Sequence, residues 1–215
     1  MHQIAIHPDV VSRAKQRRSG LRVFDRLSPV TTAHVVVDLQ NGFMAPGEVA
    51  EIGIAREIVP NVNRISTALR AAGGLVVYIQ NTFDSVAVST WSTFFQHFCS
   101  PERRRRMIET FSPGTFGHAL WPAPGASDLH AILQARDIDT LIVTGTATQV
   151  CCESTARDAM MLNYKVFFIA DGNATFNDDE HNATLSAMAH AFCDVIDTDT
   201  MVGMIERVSA EPALA

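Results

Sequence analysis

The chain has 215 residues, 47% of them apolar and 19% charged, with a formal net charge of −6 at neutral pH. That length suits one domain with a substantial core, and the acidic balance excludes a general nucleic-acid binder, whose footprint is basic. No apolar run nears the ~20 residues that span a bilayer, and the N-terminus lacks the apolar core of a secretory leader, so a cytoplasmic protein without membrane partners is expected.

In chain order, 1–30 reads as a basic arm, with Arg13, Lys15, Arg17, Arg18, Arg22 and Arg26 crowded together. A solvated arm or a subunit contact is expected there, rather than an anion site. A single domain over 31–208 follows, with a tail at 209–215. It opens with AHVVVD (33–38), a β-branched run typical of a strand buried on both faces. Helical spacing then runs through Ile58, Val62, Ile65 and Leu69, closed by Gly73 and Gly74. LVVYIQ (75–80) is a second strand, and PERRRRMIE (101–109) reads as an exposed helical turn. DLHAILQARDID (128–139) is amphipathic, with Leu129, Ile132 and Leu133 on one face. Then come the strand TLIVTG (140–145), a helix through ESTARDAMMLNY, and the strand KVFFIAD (165–171). A helix at 178–192, with Asp178 as its N-cap, and a last strand at 193–198 complete the pattern.

Strands alternating with helices at this spacing predict right-handed βαβ units. The expected fold class is therefore α/β: a doubly wound, mostly parallel sheet of five or six strands with helices on both faces, in three layers. There is no internal repeat and no low-complexity tract.

The four cysteines, Cys99, Cys151, Cys152 and Cys193, show no CxxC spacing and no paired metal-ligand pattern. Inert packing is the default for each, since cysteine is among the most buried residue types. Placement argues otherwise for one of them. In open α/β sheets ligands bind beyond the carboxyl ends of the strands. Asp38 closes the first predicted strand, and the Gly-Thr-Ala-Thr turn carrying Cys151 and Cys152 follows TLIVTG. Asp38 taken alone is as well explained as a polar strand end bonded to a turn. If these strands neighbour each other, Asp38 comes near Cys151. A helix N-terminus would then stabilise the thiolate, a carboxylate would move its proton, and turn amides would hold an oxyanion.

VVVDLQNGF, GTATQVCCESTARDA, and YKVFFIADGNAT with HNATLSAMAHAF together resemble the isochorismatase-like cysteine hydrolases, from about Thr32 to Ile205. That family includes nicotinamidases, N-carbamoylsarcosine amidohydrolase and ureidoacrylate amidohydrolase. The resemblance implies Asp38 and Cys151 as catalytic residues, with Cys152 a buried neighbour. It also implies a cis peptide between Thr146 and Ala147 and an oxyanion hole formed by the amides of Ala147 and Cys151. Core packing is expected for Phe83, Phe94, Phe95 and Phe176. Phe43 and Trp91 are candidates for walling a substrate pocket, and Asn41 for binding a substrate carbonyl. Some relatives hold a metal through an Asp-x-His pattern after the second strand. QNTFDSVAVSTW has no histidine there, so neither a metal nor any other cofactor is expected. His34, His118, His130, His181 and His190 are expected mostly on element surfaces, without a Cys–His dyad. A homo-oligomer, dimer or tetramer, is expected.

One departure stands against these matches. The family's triad includes a lysine placed between PGTFG and the cysteine strand, and this chain has only Lys15 and Lys165. About a dozen residues bearing that lysine are absent around Pro122 to Pro124. Either the sequence as given omits a segment of the protein, or the protein lacks it and is inactive or uses another cation such as an arginine. Omission is favoured, because a lost strand would leave neighbouring backbone groups without partners. The function expected is hydrolysis of amide, carbamoyl or ureido C–N bonds in a small molecule through a thioester. CCESTARDA leans toward ureidoacrylate-type members, and isochorismatase cleaves a vinyl ether without needing the cysteine. The alternative is a non-catalytic relative acting in binding or assembly. A nucleotide-binding domain is weakly supported, because GxGxxG and GxxxxGK[ST] are both missing.

Overall fold

A computed structural model of the chain describes residues 1–18, 22–120 and 129–210. Among these, β1 (Thr32–Val37), β2 (Leu75–Ile79), β3 (Thr140–Thr146), β4 (Lys165–Ala174) and β5 (Asp194–Ile196) form one all-parallel sheet in the order β2-β1-β3-β4-β5. Every residue of β1 and of β3 is buried, which is why both read as apolar runs without alternation. The register sets Val37 opposite both Ile79 and Gly145, so β2, β1 and β3 end level. Whatever follows those three strands emerges at one edge of the sheet.

The helices are α1 (Pro8–Arg18), α2 (Asn41–Met44), α3 (Ala55–Ala71), α4 (Ser85–Thr90), α5 (Pro101–Phe111), α6 (Leu129–Gln134), α7 (Glu153–Met161), α8 (Asp178–Ala191) and α9 (Thr198–Ala210). The apolar stripe of α3 places Ile65 and Leu69 against Ile142, Phe167 and Ile169, beside Met201 and Met204 of α9. On the other face, Leu133, Ala156, Leu185 and Met188 of α6, α7 and α8 cover Val35, Val143 and Phe168. Each fully buried side chain of this size contributes roughly 1.5–3 kcal/mol relative to exposure. A third cluster, with Phe43, Phe83, Phe95 and Phe111, sits over the carboxyl edge of the sheet and caps β1 and β2.

Several local expectations are corrected. The segment predicted as an exposed turn is the helix α5, and its Met107 and Phe111 are buried. The N-cap of α8 is Asn177, whose Oδ1 accepts the Glu180 N–H at 2.9 Å. Asp178 instead accepts from His2 Nδ1 at 2.8 Å. The basic arm is docked along one side. Val10 and Ala14 are buried, Arg18 donates to the carbonyl of Ala189 at 2.8 Å, and His2 stacks on His181 with centroids 4.3 Å apart. Its remaining face, with Arg13, Lys15 and Arg17, is exposed.

His34 and His181 are fully buried rather than on surfaces. His34 bonds Ser66 Oγ at 3.0 Å and Thr144 Oγ1 at 2.8 Å. Burial, with the Arg70 charge adding to it, lowers its pKa to about 3, so it is neutral. No helix among the described residues is long and apolar enough to cross a membrane.

Candidate active site

Asp38 is the first residue past β1, and its backbone turns into the left-handed region (φ 53°), which Asp and Asn tolerate better than most side chains. Its N–H donates to the Ile79 carbonyl at 3.0 Å, and its carbonyl accepts Thr146 Oγ1 at 3.1 Å. The aspartate is thereby bolted to the ends of both neighbouring strands. On the β3 side this closeness depends on Gly145, at φ +133°. A Cβ there would stand 2.0 Å from the Val37 carbonyl oxygen. Only glycine lets the two backbones approach so closely.

Past Gly145 the peptide Thr146–Ala147 is cis. A π-helical turn, Thr148–Cys152, then leads into α7. The Ala147 carbonyl accepts the N–H groups of Val150 (3.1 Å) and Cys152 (3.3 Å). The turn is tied to α8 by Thr148 Oγ1 with His181 Nδ1 at 2.9 Å and by Gln149 Nε2 donating to Glu180 at 2.7 Å. These bonds hold the turn that carries Cys151 against α8.

A residue that the sequence reading missed joins the two candidates. Asn81, just past β2, donates its side-chain amide to Asp38 Oδ2 at 2.8 Å, and the same nitrogen lies 3.8 Å from Cys151 Sγ. Gln40 holds Asn81 in place: its Oε1 accepts the Asn81 N–H at 2.6 Å and its Nε2 donates to the Asn81 carbonyl at 2.9 Å. The available signal was position, since Asn81 follows a strand that ends level with Asp38 at the same sheet edge.

The electrostatics of the pair are unusual. Burial raises the Asp38 pKa to about 7, against the weaker pull of the Cys151 thiol and Asn81. Asp38 Oδ1 is buried without a hydrogen-bond partner among the described residues, and no basic side chain enters the balance there. Burial first, then the Asp38 charge, push the Cys151 thiol well above the ordinary range, while Asn81 and the Ala147 N–H favour the thiolate more weakly. The expected resting thiolate is therefore corrected: desolvation and a like charge outweigh the helix end. Cys152 and Cys193 are buried thiols, held protonated by burial.

A cleft of about 530 Å³ has Asn81 and Cys151 in its lining, while Asp38 is buried beside them and outside that lining. Phe43, Phe83, Trp91, Phe94 and Met107 form much of its wall. Phe43 and Trp91 both line the cleft. Phe83 and Phe94 belong to the cleft as well as to the packing, Phe95 is buried, and Phe176 is exposed. Asn41 is corrected: its side-chain amide donates to the Phe116 carbonyl at 2.8 Å, outside the cleft lining. No histidine enters the balance at Cys151. Among the described residues no group of three or more His, Cys, Asp or Glu side chains comes together to hold a metal ion.

Neither lysine serves the pair. Lys15 lies exposed on α1. Lys165 starts β4 at the opposite end of the sheet, bonded to Asp139 at 2.8 Å. The expected gap at Pro122 to Pro124 lies outside the described residues. Among the described residues β2 is the edge strand, and the β2–β1 and β1–β3 ladders run without a break.

The family model described as Isochorismatase domain matches residues 32–200. An uncharacterized isochorismatase family protein, YwoC of Bacillus subtilis (strain 168), is 29% identical over 172 residues, which is 72% of this chain and 83% of that protein. A cysteine hydrolase from Pseudomonas syringae pv. phaseolicola 1448A matches with a TM-score of 0.72 at 24% identity, over 86% of this chain and 97% of that one. A pyrazinamidase/nicotinamidase from Streptococcus mutans UA159 matches with a TM-score of 0.64 at 18% identity, over 77% and 99% respectively. At these identities the two structures establish a shared fold.

Proposed function

The chain belongs to the isochorismatase family, and from that premise we propose that it is a cysteine-dependent hydrolase of amide, carbamoyl or ureido C–N bonds in a small molecule. The observation that carries this reading is the single Asn81 nitrogen lying 2.8 Å from Asp38 and 3.8 Å from Cys151. A thiol and an amide donor line the cleft, and a buried carboxylate is bonded to that donor, which is a sufficient set for acyl transfer.

With a pKa near 7, Asp38 is about half ionised at neutral pH and is matched to moving a proton in either direction. Its carboxylate takes the Cys151 proton as the sulfur attacks the carbonyl carbon, so the thiolate forms during attack and not before it. The oxyanion is received by the amides of Ala147 and Cys151. Protonated Asp38 then hands its proton to the departing nitrogen, the C–N bond breaks, and a thioester remains on Cys151. Water attacks that thioester with Asp38 again as base, releasing the acid and restoring the thiol.

The test is ammonia release from a panel of primary amides, carbamoyl compounds and ureides. Wild-type turnover that disappears in Cys151→Ala and in Asp38→Asn supports the reading. Turnover that survives Cys151→Ala overturns it. A second reading, a non-catalytic relative acting in binding or assembly, is favoured by one observation. Asp38 has no cation beside it among the described residues, where the family's triad carries a lysine. A complete lack of turnover across the panel, in a folded protein, supports that alternative.

A further inference from the structure

Among the described residues, the cleft wall carries no charged side chain. Its polar members are Asn81, Thr90, Thr93 and Cys151, and the rest are aromatic or aliphatic. Trp91 and Phe98, 53% and 75% exposed, extend that apolar surface beyond the floor to the mouth. The arginine-rich α5 turns Met107 toward the cleft, while Arg105 is held between Glu102 and Glu109 on the solvent side.

Given the hydrolase reading above, on which this rests, we propose that the substrate is an uncharged carboxamide with a bulky, apolar, ring-containing acyl group. A carboxylate on the acyl group would be stripped of water in this cleft with no cation among the described lining residues to receive it, and such burial is strongly disfavoured. A flat apolar ring meets aromatic faces along the wall instead, where offset and edge contacts add to the area buried. A cleft of about 530 Å³ lies within the range of roughly 300–1,000 Å³ found for small-molecule sites and has room for more than one ring. The scissile bond is the acyl C–N bond. Its carbon forms the bond to Cys151 sulfur, its nitrogen leaves with a proton from Asp38, and water later displaces the sulfur.

The class is tested by binding to Cys151→Ala, which separates it from turnover. Calorimetry compares 2-naphthamide, acetamide and succinamate. 2-Naphthamide is expected to bind about 100-fold tighter than either of the others, as the burial of ring surface predicts. Trp91→Ala and Phe98→Ala, both at exposed positions, are each expected to weaken 2-naphthamide about tenfold and to weaken acetamide far less. Succinamate binding as tightly as 2-naphthamide, or 2-naphthamide binding no tighter than acetamide, overturns the proposal. Selective 2-naphthamide binding without wild-type turnover of any amide defeats the hydrolase reading and leaves the preference of the cleft standing.

Discussion

Replacing Asp38 by Asn is expected to abolish turnover and to stabilise the folded chain at alkaline pH. Asn keeps the shape, tolerates the left-handed backbone at φ 53° and still accepts from Asn81, but it cannot ionise. The unfolded chain loses the Asp38 proton near pH 3.8 and the folded chain near 7. Between those values the folded state holds the extra proton, so wild-type stability falls as pH rises. The penalty is small at pH 4 and complete above 7. Moving the carboxyl from 3.8 to about 7 amounts to about 4 kcal/mol at about 1.4 kcal/mol per pH unit. The amide nitrogen of Asn also leaves a buried donor where Oδ1 has no partner, costing roughly 1–3 kcal/mol at every pH. The diagnostic is therefore the change in the stability gap between the two proteins, measured by urea unfolding at pH 4 and pH 8. A gap that shifts by about 4 kcal/mol in favour of Asn supports the argument. A gap independent of pH refutes it, and means that a cation neutralises Asp38 in the protein, as the family's lysine would.

Four further outcomes are expected. Asn81→Ala removes the donor shared by Asp38 and Cys151. It should lower kcat/KM about 100-fold and move the acid limb of the kcat/KM–pH profile upward from near 7. A loss of rate with an unmoved limb contradicts this role. Gly145→Ala forces a Cβ to 2.0 Å from the Val37 carbonyl oxygen and should cost more than about 4 kcal/mol in thermal or urea unfolding. Gly203→Ala, in mid-α9 with its nearest contact at 3.6 Å, should be neutral or stabilising by up to about 1 kcal/mol. His34 titrates near 3 when folded and 6.5 when unfolded, so its contribution is lost as pH falls through that window. His34→Gln should flatten the decline in stability below pH 6.5 by up to about 1.4 kcal/mol per pH unit.

The layered fold was legible because its cause is simple. Strands covered on both faces carry β-branched and aromatic residues at every position, as Val35 to Val37 and Val166 to Ile169 do. Asp38 and the cysteine turn were legible as polar breaks at the ends of such runs. Asn81 was not, because its role depends on β2 lying beside β1 in register, a non-local fact. The docking of α1 was hidden for a related reason. Only Val10 and Ala14 of its eleven residues are buried, too few to stand out among its basic side chains. Asn41 failed in the opposite sense: it sits next to the site in sequence, but its amide is committed to Phe116. The charge state of Cys151 was also out of reach, since a helix-end argument does not weigh burial against a neighbouring carboxylate.

Acid-quenching a single turnover of an accepted amide and mapping the chain by peptide mass spectrometry tests the central claim most directly. An acyl group is expected on the peptide containing Cys151, released by hydroxylamine and missing when Asp38 is Asn. Product forming with no adduct on that sulfur, or an adduct on Cys99 or Cys193 instead, contradicts it.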